Sequence, residues 1–127
     1  MSSFTDELII KYLNGRSFEL VEPFKYYVGE ELSNEVIIVP KGFKTDFASI
    51  PRVFWTIIGS PIGKYGKAAV IHDYLYYTKR YPRKRADQIF YEAMGVLKVD
   101  QWRRRSMFMA VRIAGWIPWV LTRFKKR

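Results

Sequence analysis

With 127 residues, 49% of them hydrophobic and 17% aromatic, the chain has the length of one domain with a real core and the composition of a folded protein. It contains no cysteine, which excludes disulfides, thiolate metal sites and cysteine-rich zinc sites. The net charge of +10 is unevenly placed: residues 1–40 carry three Lys/Arg against seven Asp/Glu, residues 41–97 ten against four, and residues 98–127 nine against one. A basic end of this kind suits nucleic-acid phosphates, anionic lipid or an acidic protein surface, and a solvated face that keeps the protein soluble accounts for it as well.

In chain order, Asp6 and Glu7 stand where a secretory signal carries basic residues, and no clean apolar run follows, so no signal peptide is expected. Phe18 to Glu22 and Phe24 to Val28 mix apolar and polar residues around a break at Pro23. Glu35 to Val39 is rich in β-branched residues and is stopped by Pro40-Lys41-Gly42. These segments predict a small antiparallel sheet. From Thr45 the pattern changes. Ser49 is a suitable N-cap with Pro51 in the first turn of a short apolar helix, Val53 to Ile58, which Gly59 ends. Gly59 to Gly66 holds three glycines and reads as a compact loop.

A helix is predicted from about Lys67 to Lys79, a turn at Tyr81-Pro82, and a second helix from Arg83 to about Met94 stopped by Gly95. Asp100 is placed to cap a last helix running from Gln101 toward Gly115. The expected architecture is α+β in a single domain, residues 1–44 mainly β and 45–127 mainly α. In it, a small N-terminal antiparallel β-sheet packs with a helical hairpin and a C-terminal basic helix.

The first helix of that hairpin carries His72, the one histidine of the chain, in Ala68-Ala69-Val70-Ile71-His72-Asp73-Tyr74-Leu75-Tyr76. His72 and Tyr76 share a face one turn apart, while Asp73 projects about 100° away toward Tyr77. Imidazole titrates near neutrality, so a ring held beside carboxylates is a natural general base for activating water. A histidine in an apolar stretch also serves as a hydrogen-bonded core residue. Two registers are open for its partner. A tight turn at Tyr81-Pro82 sets Asp87 opposite Tyr76 and leaves His72 nearer Tyr91; an offset connection brings Asp87 to His72, one turn being about 5.4 Å. Asp46 either joins Asp73 and His72 in a metal or hydrogen-bond cluster or caps the turn into the short helix. The basic tip Lys79-Arg80 and Arg83-Lys84-Arg85 is either solvated or a rim facing phosphate or lipid headgroups.

Met107 to Leu121 is apolar, but a span needs about 20 residues and this stretch contains Arg112 and Pro118, so no transmembrane helix is expected. Trp116 and Trp119, followed by Arg123, Lys125, Lys126 and Arg127, combine aromatic anchors with cations as at a bilayer surface. The alternative is a helix whose apolar face packs on the core.

Three motifs in order, Thr45-Asp46-Phe47-Ala48-Ser49-Ile50-Pro51-Arg52, His72-Asp73-Tyr74-Leu75-Tyr76 and Ala86-Asp87-Gln88-Ile89-Phe90, resemble a family of small phage and prophage proteins catalogued as domain of unknown function 1353. The resemblance runs from about Val36 to Gly115. It implies a phage or prophage origin, in the host cytoplasm or the virion. More distantly, His72-Asp73 with Tyr76 and the downstream Asp87 is similar to the His-Asp-x-x-Tyr arrangement of phospholipase A2 domains. That resemblance implies His72 as the base, Asp73 as a calcium ligand, Asp87 as the carboxylate orienting the histidine, and Tyr76 as a support for Asp87. It also implies backbone carbonyls of the Gly59 to Gly66 loop as further calcium ligands.

The function expected is a phage-encoded, phospholipase A2-like ester hydrolase, calcium-dependent, at an anionic lipid surface. The alternative is a non-catalytic virion or assembly protein that meets another phage protein through its basic C-terminal end. Nucleic-acid binding has charge in its favour but no recognition motif.

Overall fold

The computed structural model describes residues 3–4, 7–14, 17–29, 35–45 and 65–121. The chain divides into two compact units, one ending at Asp46 and the other beginning at Phe47, where the residue pattern changes from strand to helix.

The first unit holds β1 (Ser3–Phe4), β2 (Ile10–Asn14), β3 (Ser17–Leu20), β4 (Phe24–Tyr27), β5 (Val36–Val39) and β6 (Lys44–Thr45). The single sheet expected is two three-stranded sheets, in the orders β1-β4-β5 and β2-β3-β6, all pairs antiparallel. The division falls at Pro23, between β3 and β4: proline has no N–H for a ladder, so the chain leaves one sheet there and enters the other. Along β4 and β5 burial alternates, with Phe24, Tyr26, Ile37 and Val39 inside. Phe24 lies opposite Val39 and Tyr26 opposite Ile37, so the buried residues form direct cross-strand pairs. Gly42, at φ +89°, turns the chain toward β6 and donates its N–H to the Leu20 carbonyl at 2.9 Å.

The second unit holds α1 (Gly66–Thr78), α2 (Arg83–Val96), α3 (Gln101–Ala114) and α4 (Trp116–Leu121). α2 packs against both α1 and α3, and α4 returns to α1. α1 is buried almost all round, from Ala68 through Asp73 and again at Leu75 and Tyr76. It ends where Lys79 turns left-handed, its N–H bonded to the Leu75 carbonyl at 3.0 Å. α2 buries one stripe, Ala86, Asp87, Ile89, Phe90, Ala93 and Met94, at helical spacing. It continues through Gly95, which was expected to stop it. A Cβ there would sit 2.5 Å from the far end of the flexible Arg104 side chain and within 4 Å of no backbone atom outside its own helix. Asp100 has the extended backbone of an N-cap, but its carboxylate pairs with Arg103 rather than with a backbone N–H.

The α+β class expected from the sequence is the class observed. The short helix Val53 to Ile58, its cap at Ser49 and Pro51, and most of the Gly59 to Gly66 loop lie outside the described residues. Among the described residues no helix is long and apolar enough to cross a membrane.

Candidate functional site

The site is built on the facing sides of α1 and α2. His72 and Tyr76, one turn apart on α1, turn their rings to the same side with centroids 4.3 Å apart. Asp87 comes from the second turn of α2. Its Oδ1 lies 2.7 Å from His72 Nε2 and accepts the Tyr76 hydroxyl at 2.7 Å. The two registers left open by the sequence thus merge, because one carboxylate oxygen serves both α1 residues. Phe90, one turn further along α2, also packs against the imidazole, with ring centroids 4.5 Å apart.

The second carboxylate oxygen faces cations. Arg112, in the last turn of α3, donates to Asp87 Oδ2 at 2.8 Å, and Arg83 Nη1 stands 3.6 Å from the same atom, one turn before Asp87. Arg83 also donates to the carbonyls of Val111 and Arg112, at 2.9 and 3.3 Å. These carbonyls belong to the last turn of α3, and that of Val111 also accepts the Gly115 N–H at 2.9 Å, so Arg83 is a second donor to it. Asp87 therefore joins α1, α2 and α3.

His72 and Asp87 are 0% exposed and Tyr76 1%. Burial pushes the Asp87 carboxyl up, but hydrogen bonds from His72, Tyr76 and Arg112 together outweigh it and hold the group below the usual carboxylate range. The group is accordingly a carboxylate at neutral pH. Burial, reinforced by that negative charge, drives the Tyr76 phenol far above its ordinary value, so Tyr76 stays a donor. An ionised Asp87 fixes the histidine tautomer as well: Nε2 carries the proton it donates, and in the neutral ring the lone pair is on Nδ1.

Of the residues singled out in the sequence, His72, Tyr76 and Asp87 are thus brought together. Asp73 is buried on α1 directly after His72. Among the described residues no three His, Asp or Glu side chains converge to hold a metal ion, while Asp46 and residues 59–64 lie outside them. Trp116 and Trp119, expected as a pair of surface anchors, face differently. Trp116 is exposed, whereas Trp119 meets the Tyr76 ring edge-on at 5.0 Å beneath the Lys79 ammonium, 4.1 Å from the ring centroid. Arg123, Lys125, Lys126 and Arg127 lie outside the described residues.

Sequence reasoning missed both arginines of the site. Arg83 was legible as the i,i+4 partner of Asp87. Arg112 had a weaker signal, a lone cation in the apolar run Met107 to Trp116, where an uncompensated charge is costly to bury.

A family model described as protein of unknown function (DUF1353) matches residues 18–111. The chain belongs to this family. The matched span of the DUF1353 chain runs from β3 into α3 and includes His72, Asp73, Tyr76, Arg83 and Asp87, ending one residue before Arg112. The chain is also 44% identical over 78 residues to an uncharacterized protein, y4jT, of Sinorhizobium fredii (strain NBRC 101917 / NGR234), an alignment covering 61% of this chain and 23% of the other. It spans about a quarter of the length of that relative. No solved structure matches the chain.

Proposed function

We propose that the protein is a phage-encoded ester hydrolase of phospholipase A2 type. The observation that carries this reading is the single oxygen of Asp87 shared by His72 Nε2 and the Tyr76 hydroxyl, each at 2.7 Å. A buried carboxylate so placed holds the ring in one orientation and one tautomer and favours the imidazolium that forms when Nδ1 takes a proton from water. His72 is the base, Asp87 its positioning carboxylate, and Tyr76 the group that keeps Asp87 aligned. Because the ring is fully buried, turnover requires the space over His72 to open to water and to the ester.

Calcium is the cofactor of this reading. It is a hard cation that takes carboxylate and carbonyl oxygens, which is the donor chemistry of Asp73, Asp46 and the Gly59 to Gly66 backbone. When bound it supplies Lewis-acid stabilisation of an ester oxyanion. The substrate class is a phospholipid ester at an anionic surface. In the test, the full chain is incubated with phosphatidylglycerol vesicles and calcium, and released fatty acid is measured. Release that is abolished by chelation and by Asp73→Asn, with the fold retained, is expected; no release from the wild-type protein overturns the reading.

The complete burial of His72 and Asp87, with two arginines on the carboxylate, favours a second reading. In it the network ties three helices together in a non-catalytic virion or assembly protein that binds another phage protein through its basic end. The phage origin in both readings rests on the ordered motif resemblance.

A further inference from the structure

α3 and α4 form a nearly continuous helical rod. The Gly115 N–H bonds the Val111 carbonyl at 2.9 Å and the Trp119 N–H bonds the Gly115 carbonyl at 3.1 Å, so the helical ladder passes through the joint. One face of this rod is apolar and exposed: Trp102, Met109, Ile113, Trp116, Ile117 and Val120. Met109 is 54%, Ile113 68% and Trp116 56% accessible, and at about 100° per residue all six fall within roughly a quarter to a third of the circumference. Beside Met109 and Ile113, Ser106, Ala110 and Ala114 help line a shallow depression of about 420 Å³. Scattered apolar side chains on a surface need no explanation, but an aligned row along about 30 Å of helix does.

The residues beside the row identify what covers it. Arg105 flanks it near its start; Arg103 is paired with Asp100 and Arg112, which borders it further on, with Asp87, and residues 98–127 carry nine Lys/Arg against the one Asp100. Two copies of the chain packed along this face would bring together two segments that each carry nine cations against one acid, which disfavours self-association. Nucleic acid satisfies the cations but leaves the six large apolar side chains unused. A bilayer with anionic headgroups answers both features at once: the apolar row enters the acyl boundary, and Arg105 with the basic excess of the segment meets the phosphates.

We infer that the α3–α4 face is a membrane-docking surface that lies flat on an anionic bilayer. The inference goes beyond the hydrolase reading and stands apart from it, because binding is measured without turnover.

Co-sedimentation of the full chain with vesicles of phosphatidylcholine alone, or mixed with phosphatidylglycerol, tests it. Binding to the mixed vesicles, several-fold weaker in high salt, is expected. Ile113→Asp should weaken it by at least about tenfold, because it places a charge at the centre of an apolar contact. Ile113 is exposed, so the thermal midpoint should hold; Trp116→Gln, a neutral change on the same face, serves if Ile113→Asp does not fold. Absence of binding, equal binding to both kinds of vesicle, or undiminished binding by a folded face variant overturns the proposal. A dimer that Ile113→Asp dissolves, seen by sedimentation velocity, also overturns it and assigns the face to a contact between copies.

Discussion

Asp87 is a buried anion whose stability depends on every group around it. Replacing it by Asn leaves Arg112 and Arg83 facing a neutral amide, and removing one partner of a buried pair costs about 3–5 kcal/mol. Since both arginine side chains are partly exposed, at 29% and 21%, the lower end is expected, read as a fall in the denaturation midpoint. The pH dependence has a definite sign. A carboxyl depressed by folding contributes stability that is complete above the ordinary carboxylate range and is lost as pH falls from about 4 through its own lower value. Thermal midpoints measured from neutral pH into acid should therefore fall steeply for the wild type and less for Asp87→Asn. Tyr76→Phe removes one hydrogen bond to the same oxygen and should cost about 1–2 kcal/mol, measured by denaturant titration. His72, Tyr76 and Asp87 were legible as a group because helical spacing places the first two on one face and the hairpin brings the third opposite. Arg112 was not, since its partner lies 25 positions away and no local period links them.

Between elements, the joints hold the site. α1 ends at Lys79, whose ammonium donates to the Tyr76 carbonyl at 2.7 Å and to the Trp119 carbonyl at 2.8 Å, fastening α4 to the end of α1. Gly115 lies between α3 and α4, where a Cβ would meet the Val111 carbonyl and stand 2.5 Å from the Tyr76 hydroxyl. Gly115→Ala should accordingly cost about 1–3 kcal/mol of stability through overpacking and displace the Tyr76 hydroxyl from Asp87. A thermal melt measures the first effect, and a shift in the Tyr76 ring resonances measures the second. The helices were readable because their apolar stripes, the turn at Pro82 and the step at Asp100 are local signals. The sheets were less so. β2 exposes the consecutive Lys11 and Tyr12, one on each face, and is defined by its pairing with β3 rather than by its own composition. Gly95 reads locally as a helix stop, yet α2 runs one residue past it to Val96.

Across the whole chain, charge and fold divide at nearly the same place. The acidic excess lies in residues 1–40, within the strand-bearing unit, and the basic excess lies in the helical unit that holds the His72 cluster and the apolar α3–α4 face. In the proposed hydrolase reading, His72 held by Asp87 and the apolar α3–α4 face would supply the base and the lipid contact from one unit. The most direct test of the base is His72→Gln, assayed for fatty-acid release from phosphatidylglycerol vesicles in calcium alongside the denaturation midpoint. A glutamine amide still donates to Asp87 but cannot take a proton from water, so release should fall by at least about 100-fold while stability falls by only about 1–2 kcal/mol. A folded His72→Gln protein that hydrolyses phospholipid at the wild-type rate would contradict the assignment of His72 as the catalytic base.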